Sequence, residues 1–220
     1  MDFIINTFIH VNLIISDNTL EKINIENLDK LKFNLKIWID HILNTEITMP
    51  DGEKLQLCNV HHKDRINELE FDFNMNEFDA ISVANVVGET EVRINTELFK
   101  IKGVMNGKMD LFFRHNGKYY ILDWKSNFLG FTLDDYQKAN VEEAMTDSNY
   151  HLQYLIYTMA SRLYLKNRIP DFNYDDHFGG VVYLFLRGIR NVENSGGIFT
   201  EKPTVEVLDR LENLIHCQQH

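Results

Sequence analysis

Lys108 to Lys125 reads KMDLFFRHNGKYYILDWK, two alternating, aromatic-rich runs on either side of Asn116-Gly117. Asn-Gly between such runs is the strongest short-range hairpin signal, because a type I′ turn needs positive φ at both central positions. A two-residue loop sets His115 against Lys118, and counting back along both strands sets Asp110 against Asp123. In an unbulged hairpin two such carboxylates stand on one face with Cβ atoms about 4.5–5.5 Å apart, where like charges are destabilising. A bulge would break this register.

Something has to offset that repulsion: a raised pKa on one acid, a neighbouring cation or a bound metal. Lys125 lies two residues from Asp123 and shares its face, while Leu111, Phe113, Tyr120, Leu122 and Trp124 make the other face the packed one. Two hard oxygen ligands and a lysine are what metal-assisted phosphodiester cleavage requires. The same pattern also describes an acidic pair and a lysine in a solvated network on an exposed sheet face, and the spacing alone leaves both readings open.

Outward from the hairpin, Leu28, Leu31, Leu35, Ile39 and Ile42 recur at helical spacing. The stretch up to about Leu43 reads as two helices with a turn near Ser16 to Thr19, ended by Met49-Pro50-Asp51-Gly52. Glu68 to Phe73 alternates as a short strand, and Glu91 to Ile101 reads as another beyond an irregular region at 76–87. From about Asp134 to Arg168 the period is helical, with Leu152, Leu155, Ile156, Met159 and Leu163 as the apolar stripe and Pro170 as the stop. Gly179 and Gly180 introduce Val181 to Leu186, an apolar run suited to a buried strand, and Val205 to Ile215 closes the chain as an amphipathic helix.

No repeat, low-complexity tract or linker interrupts the 220 residues, so one domain is expected over 1–220: a helical part at about 1–48, a core at about 65–205 and a C-terminal helix at about 204–216. The net charge of −11 argues against holding nucleic acid by bulk electrostatics. Contact would be local, and 101–130, with five basic residues against two acidic, is the one positive segment. Lys100, Lys102, Lys108, Arg114, Lys118 and Lys125 are candidates to guide a phosphate backbone, or ordinary strand-edge lysines and arginine that blunt aggregation. The isolated chain should bind DNA weakly.

Two distant cysteines, Cys58 and Cys217, support neither a disulfide framework nor a metal cluster and suit a reducing cytoplasm. The apolar start from Phe3 to Ile15 is interrupted by Asn6, Thr7, His10 and Asn12 and lacks a preceding base, so neither a secretory leader nor a membrane span is expected. Gly103 to Met109 is one residue short of a phosphate loop and lacks its Ser or Thr. No ATP site is expected, and the chain should not be a motor by itself.

Gly107-Lys108-Met109-Asp110, Asp123-Trp124-Lys125 and Gln153-Tyr154-Leu155-Ile156-Tyr157 together resemble the PD-(D/E)xK nuclease signature with the Q-x-x-x-Y helix of RecB-type nucleases. The stretches GKYYILDWKSNFLG (117–130), YHLQYLIYTMASRLYLKNRI (150–169) and HFGGVVYLFLRG (177–188) are similar to the C-terminal nuclease domain of the RecB subunit of RecBCD helicase-nucleases, covering roughly 100–205. Upstream, Thr7-Phe8-Ile9-His10 looks like the family's T-F-L-H helix, with Asn6 where the family has a small glycine, and Glu68-Leu69-Glu70-Phe71 looks like its acidic strand.

The resemblance implies an α/β PD-(D/E)xK restriction-endonuclease-like core, a central mixed β-sheet flanked by helices. It implies Mg²⁺, one ion or two, held by His10, Asp110, Asp123 and the backbone carbonyl of Trp124, with Lys125 as catalytic lysine and Gln153 and Tyr157 reaching the site or the DNA backbone. Glu70 is a candidate beyond the metal ligands, and Glu68 shares its face. Taken singly, His10 is an ordinary core or surface histidine, Gln153 a solvated helix residue and Tyr157 a core aromatic. The implied activity is Mg²⁺-dependent DNA hydrolysis of the exodeoxyribonuclease V kind, preferring single strands, in double-strand break repair and recombination. RecC-like and RecD-like subunits and a helicase would be the partners, with no membrane involved. The rival reading is a catalytically silent module that docks a RecC-like partner, and its mark would be a missing catalytic residue. A stand-alone nuclease acting on RNA or on restriction-type duplex sites is the third, and HFGGVVYLFLRG argues against it.

Overall fold

The computed structural model describes residues 25–78, 101–190 and 195–216. The expected first helix, the segment with His10 and most of the region between Asn76 and Ile101 lie outside them. Helix α1 (Ile25–Asn44) is followed by a two-stranded hairpin, β1 (Ile47–Thr48) and β2 (Lys54–Leu55), around the Met49 to Gly52 turn. Then come β3 (Arg65–Phe78), β4 (Ile101–His115), β5 (Lys118–Lys125), α2 (Lys138–Asp147), α3 (Tyr150–Lys166), the short α4 (Tyr174–His177), β6 (Phe178–Phe185), β7 (Ile198–Glu201) and α5 (Val205–His216).

The main sheet is five-stranded and mixed, in the order β3-β4-β5-β6-β7. Among the described strands only β5 and β6 run parallel, and α2, α3 and α4 form the crossover that parallel strands require. The hairpin register runs from Leu111 opposite Leu122 to His115 opposite Lys118, with φ of 48° at Asn116 and 87° at Gly117, as the type I′ turn demands. β3 and β4 are much longer than the short runs expected, because their outer ends alternate weakly and are recognisable only by pairing with each other.

Two apolar layers enclose the sheet. On one face Phe112, Ile121, Val181 and Tyr183 pack with Tyr154, Leu155 and Met159 of α3 and Leu208 and Leu211 of α5. On the other, Leu111, Phe113, Leu122, Val182 and Leu184 pack with Ile39 and Ile42 of α1 and with Ile47 and Leu55. The sheet is therefore packed on both faces. β6, buried along all eight residues, lies inside the sheet between β5 and β7, which is why its sequence is a continuous apolar run. Full burial of each such side chain contributes roughly 1.5–3 kcal/mol. Gly179 is required there: a Cβ would stand 2.1 Å from the Tyr120 ring.

The helical period between 134 and 168 is broken in two. Asn149 adopts φ 53° between α2 and α3, within the polar run Thr146-Asp147-Ser148-Asn149, and asparagine tolerates the left-handed region better than most residues.

A second break bears on the site. Alternation along β4 would put Met109 with Leu111, yet Met109 packs in the α3 layer with Phe112, while Leu111 and Phe113 pack in the α1 layer. The alternation inverts at Asp110. Opposite, Glu68 carries φ 53°, and the β3–β4 register passes from Asn67↔Leu111 to Leu69↔Met109 without a Glu68–Asp110 step. A left-handed residue inside a strand re-aims the chain as a bulge does, and here it re-aims Asp110.

Candidate active site

β5 leaves the β4 register after Leu122 and continues along β6 as far as Lys125 opposite Phe185. In the opening between β4 and β5, Asp110 Oδ2 accepts the Trp124 N–H at 2.9 Å. A side chain thereby satisfies a backbone donor where the β4–β5 ladder has ended.

Asp123 is 5% exposed and Lys125 7%, and Asp123 Oδ2 lies 2.8 Å from Lys125 Nζ. The face is not a solvated surface. Burial, opposed by Lys125 and aided by the Asp110 carboxylate, pushes Asp123 up to about 6. Asp110 is likewise raised, first by burial, although the Trp124 N–H and Lys125 oppose the shift and Glu68 adds to it. Each acid resists ionising chiefly because it is buried.

Lys125 Nζ also donates to Gln153 Oε1 at 2.8 Å and sits 3.7 Å from the Tyr150 ring centroid and 4.9 Å from that of Tyr183. A carboxylate, an amide oxygen and two π faces leave the ammonium little freedom. Gln153 Nε2 donates to the Tyr157 hydroxyl at 3.1 Å, and Tyr157 donates to the Lys108 carbonyl at 2.8 Å. Burial, then the Asp123 charge, pushes Tyr157 up to about 12, so it remains a donor at neutral pH. Gln153 and Tyr157 use the i, i+4 spacing on α3 to tie the lysine back to β4.

The structure thus brings Asp110, Asp123, Lys125, Gln153 and Tyr157 together, with the Trp124 backbone between the acids. It places Glu70 elsewhere: 75% exposed in its side chain, 3.1 Å from Lys108 Nζ. Glu68 also pairs with Lys108, at 3.3 Å, and is the strand acid whose charge reaches Asp110. His10 lies outside the described residues. Of the basic segment, Lys108, Lys118 and Lys125 are ion-paired and Arg114 lies over the Tyr119 ring, while the side chains of Lys100 and Lys102 are outside the description. Tyr150 and Tyr183 emerge only in the fold. Tyr183 was detectable as the one hydroxyl-bearing residue in the β6 run, at the position facing Asp123.

The donor set suits a hard divalent cation. The hydrogen bonds and ion pairs among the described residues engage only Oδ2 of each acid, and a cation would relieve the raised pKa values that burial imposes on both. Among the described residues no group of three or more His, Cys, Asp or Glu forms a metal cluster. No described helix is long and apolar enough to cross a membrane.

No protein-family model matches the chain. It is similar to RecB, a subunit of the RecBCD enzyme, from several bacteria. Identity to the Haemophilus influenzae protein is 37% over 204 residues, covering 87% of this chain and 17% of that one. The Buchnera aphidicola protein from Acyrthosiphon pisum is 35% identical over 89% of the chain and 17% of its own length. The Escherichia coli protein is 42% identical over 118 residues, 54% of the chain and 10% of its own length. The chain thus spans about one sixth of the length of the first two curated relatives. The sheet that carries two buried acids and a caged lysine lies in a chain similar to RecB along most of its length, and the chain belongs to the RecB family as the counterpart of one segment of that subunit.

Proposed function

We propose that the chain is the nuclease segment of a RecBCD-type enzyme, hydrolysing phosphodiester bonds of DNA, single strands in preference, with Mg²⁺ at Asp110 and Asp123. The observation that carries the reading is the arrangement of two desolvated carboxylates with Lys125 fixed between Asp123 and Gln153. RecC-like and RecD-like subunits and a helicase supply the strand in double-strand break repair and recombination, so tight binding by the isolated chain is unnecessary. The docking-module alternative loses ground because none of Asp110, Asp123 and Lys125 is missing.

The residues that would hold the cation are Asp110, Asp123 and the Trp124 carbonyl, with His10 by resemblance. Mg²⁺ at such a site supplies Lewis-acid polarisation of the phosphate and lowers the pKa of water. The chain does the rest. Lys125, held by Asp123, Gln153 and two rings, turns an N–H to the water that attacks phosphorus as the P–O bond to the leaving strand breaks. Its charge also offsets the negative charge that grows on the phosphoryl oxygens. Gln153 and Tyr157 keep the ammonium from drifting, which matters because ångström-scale misplacement costs about 100-fold in rate.

The test is degradation of single-stranded DNA by the purified chain with Mg²⁺ and with EDTA, beside Asp123→Ala and Lys125→Ala. Cleavage that requires Mg²⁺ and disappears in both variants is expected. A folded wild type that stays inactive both alone and with RecC-like and RecD-like subunits would favour the docking module.

A further inference from the structure

The chain leaving β5 turns aromatic side chains to solvent. Phe131 is 95% exposed and Phe128 56%, and their rings meet edge to face with centroids 4.9 Å apart. With Trp38 of α1 they line an open cleft of about 400 Å³, within the ~300–1,000 Å³ range of small-ligand sites. Two guanidiniums enter the same cleft. Arg187 lies 5.9 Å from the Phe128 ring centroid and donates from Nε to the Ser126 carbonyl, one residue from Lys125. Arg190 lies 5.7 Å from the Trp38 ring centroid.

Neither arginine has a carboxylate partner among the described residues, whereas Lys108, Lys118, Lys125, Arg162 and Lys202 all do. In a chain of net charge −11, two cations without acids among the described residues mark a place for an anion. Exposed rings beside them add a second requirement, a flat π face. An unpaired nucleobase and its phosphate meet both, and the Ser126 contact ties Arg187 to the chain one residue beyond Lys125. An apolar protein surface would leave the guanidiniums without an anion.

We infer that this cleft is a stacking subsite for the substrate strand, gripping an unpaired base between Phe128, Phe131 and Trp38 and its phosphate by Arg187 and Arg190. The inference rests on the nuclease reading and gives it a reason to prefer single strands, since bases inside a duplex present edges and not faces.

Without divalent cation the chain can bind but not cleave, so binding in EDTA separates the subsite from the chemistry. The probe is a short fluorescent oligodeoxythymidine and its abasic counterpart, followed by anisotropy. The wild type should prefer the base-bearing strand. Phe128→Ala and Phe131→Ala should each weaken that strand by roughly tenfold and leave the abasic one unchanged. Arg187→Gln should weaken both and flatten the salt dependence. The phenylalanines are exposed, so unchanged melting temperatures should accompany the loss.

Equal binding of both strands by the wild type, no binding of either, or wild-type affinity in all three variants overturns the subsite. If those variants also cleave normally with Mg²⁺, the nuclease reading stands and the cleft is a face for a protein partner. Base-dependent binding without any cleavage, either alone or with RecC-like and RecD-like subunits, keeps the subsite and removes the nuclease reading instead.

Discussion

Tyr183 stands beside Asp123 in the parallel β5–β6 register and donates its hydroxyl, at 3.1 Å, to the same Gln153 oxygen that receives the Lys125 ammonium. The most buried strand of the sheet therefore takes part in holding the lysine. Rigidity inside the sheet is passed to a charged group through one amide, and disturbing that amide should act on the chemical step more than on substrate binding.

In Tyr183→Phe the ring under Lys125 stays and one hydrogen bond goes, worth about 1 kcal/mol, so kcat should fall about fivefold with KM little changed. Gln153→Leu removes the acceptor of both Lys125 and Tyr183 and the donor to Tyr157, and should cost roughly 100-fold in kcat. Steady-state cleavage rates at saturating DNA check this. Full kcat in Gln153→Leu would show that the amide does not position the lysine.

Cation affinity should follow the Asp123 proton. Burial raises this carboxyl from 3.8 to about 6. Between those values the folded chain holds a proton that the unfolded chain has lost, so this group's contribution to stability is greatest at low pH and is lost as pH rises through about 6. The ionised acid binds the cation, and protons compete with it. Titration calorimetry with Mg²⁺ should therefore show affinity nearly constant above about pH 7 and falling toward tenfold per unit below about 6. An affinity flat down to about pH 5 would contradict both the burial effect and the site.

Much of this was legible where local signals agree. Asn116-Gly117 dictates its own turn, and counting from it brings Asp110 and Asp123 to one place. The β6 run and α5 are read from composition and period alone. What escaped depends on contacts distant in sequence: the long outer ends of β3 and β4, the Asn149 break, and the inversion at Asp110 that accompanies a left-handed Glu68. The cage around Lys125 was half visible. Gln153 and Tyr157 stand out by spacing on one helix, but Tyr150 and Tyr183 look like ordinary core aromatics until the crossover returns β6 beside β5. On α1 the stripe turns inward as its spacing implies, with Leu31 and Leu35 half-buried and Ile39 and Ile42 buried, while Phe33 and Ile37, which lie off it, are exposed.

Asp110→Asn should separate stability from function. The asparagine oxygen can still accept the Trp124 N–H, while the cost of a second buried charge disappears. The cation-free variant should melt at or above the wild type at about pH 8, a gain of about 1 kcal/mol. Mg²⁺ should raise the melting temperature of the wild type and not of the variant, and cleavage should drop by roughly 1,000-fold. A variant still stabilised by Mg²⁺ would place the cation elsewhere.

The contact between β5 and β6 offers a test of the fold itself. At Gly179 an added Cβ meets Tyr120 Cε1 at 2.1 Å and Cζ at 2.3 Å, inside a layer where Tyr120 is fully buried. Neither side has room to move, since Tyr120 stacks on Phe113 with centroids 5.3 Å apart. Gly179→Ala should destabilise by about 1–3 kcal/mol, the usual cost of overpacking. Tyr120→Leu removes the ring atoms that clash, and the buried Tyr120 hydroxyl has no hydrogen-bond partner among the described residues, so none of their bonds is lost with it. The leucine variant alone loses ring packing, yet adding Gly179→Ala to it should cost far less than adding it to the wild type. Urea unfolding of the four proteins measures the coupling. Additive losses would mean that β6 shifts away from Tyr120 more easily than its burial implies.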